Sequence, residues 1–475
     1  MNAAFDPWIP GTCSGVSGLF SLRDMLQPGA VLGGTPTEFI SVHRLLQAIL
    51  LDACRWENED SLLDMGADGA RAQALAYLNT NRERFEDFLQ VKELPSGTKY
   101  GLHLLDVHAT SGGNSGRVTE HQFPKIQTEA DRLLSLLVYL NFAINSKGKV
   151  DNSLTMMSNE EAKRSYLTAN GINHRNKDGS CDLTFAGPCL QREPGVRHHF
   201  LLGNDALASA LLSVPTAAEG EIGVAPWMVS PVEDLPGLQR DKLLSRLIPM
   251  TRFVRIEEDG FYTTTGVALR GVPVDSAITV TIPAKGANEA YDKTFQTADQ
   301  SQLWALIPES VLSLRKEQID LCPNVRRAMS RGPDLGVSSY KWWVGGAISK
   351  SSSGEVFWVP GYCSMELEVS DPTPFCNRVE EVSKVLSHFI DKASFRCKLY
   401  FKELGVLADS GLKEKLFADL SGLAASAYAG GDVASTKDQA RKIVLEAFFT
   451  ACRPSNPKTL RVYAKHLGYL KEDLK

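Results

Sequence analysis

The last hundred residues constrain the fold most tightly, because four amphipathic patterns follow one another there with stop signals between them. The first runs from about Val379 to Leu404, with Val382, Val385, Phe389, Ala393 and Tyr400 on one side and Gly405 after it. The second covers Leu412 to Tyr428 and ends at Gly430-Gly431. In the third, Thr436 and Gln439 read as a capping box ahead of Ile443, Val444, Ala447 and Phe448. Asn456 and Pro457 open the fourth, which carries Leu460, Tyr463, Leu467 and Leu470. Apolar residues three and four apart give each helix one stripe to bury. Four such helices with short connections make an antiparallel four-helix bundle over residues 375–475. Just upstream, Asp371-Pro372-Thr373-Pro374 reads as a domain boundary, since proline opposes continuation of regular structure.

Residues 1–374 have a different character. Thr35-Pro36-Thr37-Glu38 supplies an N-cap, a first-turn proline and a capping-box carboxylate, followed by Val42, Leu45, Leu46, Ile49, Leu50 and Ala53 at helical spacing. Further helices are predicted at 70–89, 129–145, 159–169 and 205–214, with Ser158 and Glu161 capping the third of these and Gly171 ending it. Ile278 to Ile282 alternates apolar and polar residues as a half-buried strand does. Val356-Phe357-Trp358 and Met365 to Val369 flank Pro360-Gly361 and read as a hairpin. Glycine-rich polar loops are predicted at 111–116 and 170–194, and the polar stretch after Trp342-Trp343 and Gly345-Gly346 reads as a turn. The fold class is therefore α+β: a large mixed N-terminal domain over 1–374, then the bundle. At 475 residues the chain exceeds what one core usually supports.

Composition narrows the function classes. With 43% hydrophobic and 23% charged residues the chain reads as an ordinary globular protein. Its longest apolar runs, such as Leu133 to Leu140, are too short to span a bilayer, and Met1 to Pro10 lacks the pattern of a secretory signal. Nine cysteines, an odd number without a CxxC pair, predict reduced thiols in a cytoplasmic protein, with Cys54 and Cys397 as buried packing residues. The net charge is −5 but unevenly spread. Residues 376–475 hold 17 Lys and Arg against 12 Asp and Glu, a net of +5, which leaves −10 for the rest. That asymmetry fits a chain with one face toward nucleic acid and another toward protein, and it also fits solvated helix surfaces.

Signatures of catalysis are missing: no phosphate-loop, nucleophile-elbow, HExxH or dinucleotide-binding pattern occurs. His103, His108 and His121 fall near Asp106, but the five-residue step from His103 to His108 is off the helical ligand spacing. His198 and His199 are adjacent and would face opposite sides of a strand. The sequence points to no metal site and no cofactor. Trp342-Trp343 read as core residues.

Several features in order along the chain resemble one family. Phe5-Asp6-Pro7-Trp8-Ile9-Pro10 resembles the D-x-W-I-P start of the CasA family, the large subunit of type I-E CRISPR Cascade surveillance complexes. The helix after Glu38, the strand-to-helix stretch Gly195 to Leu207, the Gly-Gly segment Trp342 to Gly354 and the basic C-terminal bundle complete the order. The resemblance implies a non-catalytic subunit of an RNA-guided antiviral complex. Such a subunit recognises the protospacer-adjacent motif in double-stranded DNA, helps start duplex opening and docks a helicase-nuclease. Its implied partners are CRISPR RNA, target duplex DNA, and the Cascade backbone and small subunits; its implied location is cytoplasmic.

The resemblance also implies site residues. The family's glycine loop, whose backbone approaches the minor groove, corresponds to Ala186, Gly187 and Pro188. Its basic finger corresponds to Arg270, which reads equally as a surface strand charge. Its wedge at the first unpaired step aligns with Ser349, Lys350 and Ser351, smaller or charged where the family often carries amides. Its RNA-handle loop corresponds to 112–123, with Asn114, Arg117 and His121 facing RNA or solvent. Two rival readings stay open: a protein-only scaffold, and a hydrolase using a metal at His103, Asp106 and His108.

Overall fold

In a computed structural model, the described residues are 1–91, 98–107, 126, 128–142, 196–228, 242–250, 252–265, 304–305, 307, 322–337, 339–352, 355–369, 372–406 and 411–475. By contacts they form two compact units. One comprises Met1–Gln296 and Ile319–Ser364, the other Thr297–Gln318 and Met365–Lys475.

The first unit begins with a small antiparallel sheet of order β2-β1-β3, formed by β1 (Ile9–Cys13), β2 (Val16–Phe20) and β3 (Val31–Leu32). Ser14 and Gly15 both have positive φ, 51° and 78°, as tight two-residue hairpins require. Trp8 of the opening motif is fully buried, and its indole N–H donates to the Ala3 carbonyl at 2.8 Å. One helical turn, α1 (Leu22–Met25), is capped by Ser21 and precedes β3.

Helix α2 (Pro36–Cys54) forms as its sequence dictates, with Thr35 and Glu38 making the reciprocal capping box and Pro36 in the first turn. It is buried almost throughout and packs against α3 (Glu59–Thr80), α4 (Glu129–Phe142), α5 (Ala206–Ser213) and α6 (Leu243–Leu247). Its positions Leu45, Leu46, Ile49 and Leu50 are fully enclosed, each contributing about 1.5–3 kcal/mol of transfer free energy. The helix predicted over 70–89 instead starts at Glu59, capped by Asn58, and ends at Thr80. Gly66 at φ 62° interrupts its helical geometry, and positive φ at Asp87 and Leu89 excludes continuation.

Two further sheets complete this unit. The antiparallel sheet β4-β7-β6 contains β4 (Thr98–Tyr100), β6 (Arg252–Ile256) and β7 (Phe261–Thr265). The sheet β5-β8-β9 joins β5 (Val196–Leu202), β8 (Tyr340–Ser352) and β9 (Glu355–Val369). Helix α7 (Pro323–Arg331) packs against α5 and β5. Pro360-Gly361 does not turn the chain: both lie inside β9, the outer strand of this sheet among the described residues. The stretch after Gly345-Gly346 is likewise strand rather than turn, through Ser352.

The second unit holds the four C-terminal helices: α8 (Pro372–Glu403), α9 (Leu412–Ala429), α10 (Val433–Ala451) and α11 (Pro457–Asp473). Helix α8 packs against all three others, enclosing Val382, Phe389, Ala393, Leu416, Leu420, Val444 and Phe448. Pro372 and Pro374 open α8 just after β9 ends, since a first-turn N–H has no helical acceptor to lose. One local expectation is corrected. Asp432, not Thr436, caps α10; Thr436 sits inside the helix and donates to the Asp432 carbonyl. Trp304 belongs to this unit too: its indole N–H donates to Phe417 O at 3.1 Å and its carbonyl accepts from the Tyr428 hydroxyl at 3.3 Å. The Cys397 and Cys452 thiols meet at 3.3 Å in the bundle core.

The predicted strand 278–282, the helix 159–169 with its Ser158–Glu161 cap, and the loops 111–116 and 170–194 lie outside the described residues. No helix among the described residues is long and apolar enough to cross a membrane.

Candidate nucleic-acid interface

Of the ten residues that sequence reasoning nominates, the structure describes the backbone of three. Ser349, Lys350 and Ser351 lie near the end of β8. Ala186, Gly187, Pro188, Arg270, Asn114, Arg117 and His121 lie outside the described residues.

The β8 geometry gives those three positions a distinct setting. Its antiparallel register with β5 runs from Leu202↔Lys341 to Val196↔Ala347, where β5 begins. Ile348 to Ser352 continue beyond that register as strand, with β9 the neighbouring strand. The part of β8 paired with β5, Lys341 to Ala347, is the base of the strand.

That base is packed tightly. Trp342 and Val344 are fully buried, and Trp343 is 6% exposed. The Trp343 indole stacks on Phe39 of α2, with centroids 4.4 Å apart and planes at 24°. Phe200 of β5 lies 5.8 Å from Trp343, and the His43 ring is 4.3 Å from Phe200 and 5.9 Å from Phe39. Burial pushes the His43 pKa down to about 4, so the ring packs as a neutral aromatic at physiological pH. His198 is fully buried, parallel to Phe200 at 6.5 Å and edge-on to Phe142. It is a core aromatic.

Behind the base, two arginines of α7 clamp that helix to α3 and α5. Arg331 is fully buried. Its Nε and Nη2 bind the two Glu59 carboxylate oxygens at 2.5 and 2.8 Å, and its Nη1 donates to the carbonyls of Leu211 and Val214 at 2.9 and 2.5 Å. Arg327 pairs with Glu219 and donates to Ser213 O and Asn324 Oδ1. Gly332 then lets the chain pass against Tyr340 at the start of β8, since a Cβ there would overlap the tyrosine hydroxyl. No sequence motif announced these contacts.

In the bundle, part of the positive charge is neutralised locally. Arg396 binds Asp473 at 2.7 Å and holds that carboxyl below the usual range. Lys465, with His466, does the same for Glu403. Exposed Lys398, Lys402, Lys458, Arg461 and Lys471 make no ion pair among the described residues. Solvent-facing apolar side chains accompany them: Phe395, Phe449, Leu460 and Tyr469.

For the metal reading, His103 and Asp106 lie at a 3₁₀ turn over Leu102–Leu105 and just after it, while His108 and His121 lie outside the described residues. Among the described residues no group of three or more His, Cys, Asp or Glu side chains is placed to hold a metal ion.

Comparison with known proteins draws these observations together. Residues 2–305 match the family model described as CRISPR-associated protein Cse1. No curated protein sequence matches. Among solved structures, Thermus thermophilus CasA (Cse1) superposes with a TM-score of 0.70 at 18% identity, covering 100% of this chain and 99% of that one. Thermobifida fusca Cse1 gives 0.66 at 14% identity, covering 100% and 98%. A chain of a CRISPR RNA-guided surveillance complex gives 0.70 at 15% identity, covering 99% of each. The structural matches place the mixed unit and helical bundle in one known fold, and the sequence match spans nearly two thirds of the chain: it belongs to the CRISPR-associated protein Cse1 family.

Proposed function

We propose that this chain is the large, non-catalytic subunit of a type I-E RNA-guided surveillance complex, acting in the cytoplasm, and that it reads the protospacer-adjacent motif in target duplex DNA. The observation that carries this reading is membership of the Cse1 family, together with the place of Ser349, Lys350 and Ser351 in strand β8, whose Trp343 is stacked on the buried core helix α2. A strand anchored in a packed core suits prying apart a base step. Unstacking costs a few kcal/mol, and a floppy hairpin would yield before the DNA did.

In this reading Ser349, Lys350 and Ser351 meet the duplex at the first step to open. Ala186, Gly187 and Pro188 bring backbone to the minor groove, and Arg270 adds a cation there. Asn114, Arg117 and His121 contact the CRISPR RNA handle. Residues 1–374 carry recognition, while 375–475 meet the small subunits and help hold displaced DNA; the helicase-nuclease docks after target binding. Guide pairing reads the rest of the target, so this subunit needs only short, partly degenerate readout. No cofactor takes part.

One observation favours a second reading, a protein-only scaffold: Phe395, Phe449 and Leu460 are exposed on the bundle, and several of its cations are already paired. Exchanging Lys350 and Arg270 for glutamate in the complex assembled with guide RNA separates the two. A clear loss of motif-dependent duplex affinity supports recognition. Unchanged affinity supports the scaffold.

A further inference from the structure

At one end of the bundle two thiols face each other. The Cys452 thiol donates to the Cys397 sulfur at 3.3 Å, and both side chains are buried. Cys397 lies in the last two turns of α8, and Cys452 is the C-cap residue of α10. Buried Tyr400 of α8 and Tyr463 of α11 lie beside them, and Tyr463 stacks on Phe448 of α10 with centroids 5.9 Å apart. At the same end, the Glu403 carboxylate ties α8 to Lys465 and His466 of α11. The pair therefore sits where three helices converge. A sulfur–sulfur bond is about 2.05 Å long, so the two sulfurs have little more than an ångström to close. Cys452 is placed to make that movement: it has left helical geometry, at φ −107° and ψ 32°, and its neighbour Arg453 is exposed at the start of the turn to α11. Its hydrogen bond to Cys397 and its burial hold the Cys452 thiol above the usual range, which keeps it protonated and slow to react while the helix end is closed.

We infer that Cys397 and Cys452 form a reversible disulfide site, a staple between α8 and α10 whose oxidant is a small-molecule disulfide such as oxidised glutathione. Fraying of the last turn of α10 admits the oxidant without unpacking α8. Cys452 gives its proton to solvent and attacks one sulfur of the oxidant, whose S–S bond breaks and releases one glutathione thiolate. Cys397 then loses its proton and attacks the Cys452 sulfur of the mixed disulfide, expelling the second glutathione thiolate. Two protein thiols are oxidised to one disulfide, and one glutathione disulfide is reduced to two thiols. The two cysteines lie 55 positions apart, so the staple closes a long loop and restricts the unfolded chain strongly. The same separation hides the pair from any short sequence pattern. This site is independent of how the chain meets DNA.

The test uses the full chain, purified reduced and equilibrated without air in buffers of rising ratio of oxidised to reduced glutathione. Samples are quenched in acid, alkylated while unfolded and digested without reductant. Mass spectrometry is expected to find a peptide pair joined through Cys397 and Cys452, two hydrogens lighter than its separate halves, which dithiothreitol parts. By calorimetry, the bundle of the joined chain should melt about 10 °C above that of the reduced chain, the effect of closing a loop of this length in a unit of roughly 130 residues. The comparison is between two redox states of one chain, so it does not depend on a variant folding. Cys452→Ser under the same treatment should show no rise in Tm, which separates the staple from oxidation of the other cysteines. The inference is overturned if both cysteines are recovered alkylated at the most oxidising ratio. It is equally overturned if they are found only in other pairings or as glutathione adducts, or if the joined chain melts with the reduced one.

Discussion

Replacing Arg331 with methionine should destabilise the first unit by about 3–4 kcal/mol, because the guanidinium holds four acceptors at once from a fully buried position. Methionine matches the apolar stem and fills most of the volume, so the loss is chiefly polar. The Leu211 and Val214 carbonyls, at the C-terminal end of α5, are left without their donor at roughly 1–3 kcal/mol each before any water compensates. Glu59 is 39% exposed and can be rehydrated, so its side of the pair adds only about 1 kcal/mol. Taking about 2.1 cal/mol/K per residue over a unit of roughly 340 residues, this lowers Tm by about 5 °C. Differential scanning calorimetry of the purified chain measures it. Arg331→Lys should recover only part, since one ammonium cannot serve a carboxylate and two diverging carbonyls. A methionine variant melting within 1 °C of wild type would refute the claim that this clamp holds α3, α5 and α7 together.

Three other outcomes follow from the geometry. His43 is held neutral by burial, with its pKa lowered to about 4, so the folded state takes up its proton later than the unfolded chain. Stability is complete above about pH 6.5 and falls as pH drops toward 4, by on the order of 3 kcal/mol; His43→Met should flatten that slope in urea titrations at pH 7 and 4.5. Gly332→Ala forces a methyl group into the Tyr340 hydroxyl and should lower Tm by a few degrees, with Tyr340→Phe in the same chain relieving part of the clash. Tyr77 donates to Asp52 at 2.5 Å and accepts from the Trp227 indole at 2.7 Å, so Tyr77→Phe should cost about 1–2 kcal/mol by denaturant melts.

Local rules made parts of this molecule readable. The Thr35–Glu38 cap, the Asp205 entry to α5 and the Asn456 start of α11 are written in short-range chemistry, and the helices follow. The bundle was legible because its stripes repeat at helical spacing. What failed failed for tertiary reasons. Pro360-Gly361 reads as a turn but lies within β9, whereas Pro372 marks the change from β9 to α8. Polar Ser349 to Ser352 reads as a turn until β9 pairs beside it. The Arg331 clamp joins residues 272 positions apart, and Phe39 meets Trp343 from a distant segment, so no window of sequence contains either. Trp304 likewise joins a bundle that begins well after it. For the nominated interface, the family resemblance supplied Ser349, Lys350 and Ser351, and their strand geometry was not legible in the sequence.

The central claim is that this chain makes target binding depend on the adjacent motif. The direct measurement is the equilibrium affinity of the assembled complex, at one fixed salt concentration, for two duplexes with the same guide-matched sequence, one carrying the motif and one with it scrambled. Both are compared with complex lacking this subunit. The account predicts much tighter binding of the motif-bearing duplex, and loss of that preference when the subunit is omitted or when Ser349, Lys350 and Ser351 are replaced. Equal affinity for both duplexes with the subunit present, or a preference that survives its removal, would contradict it.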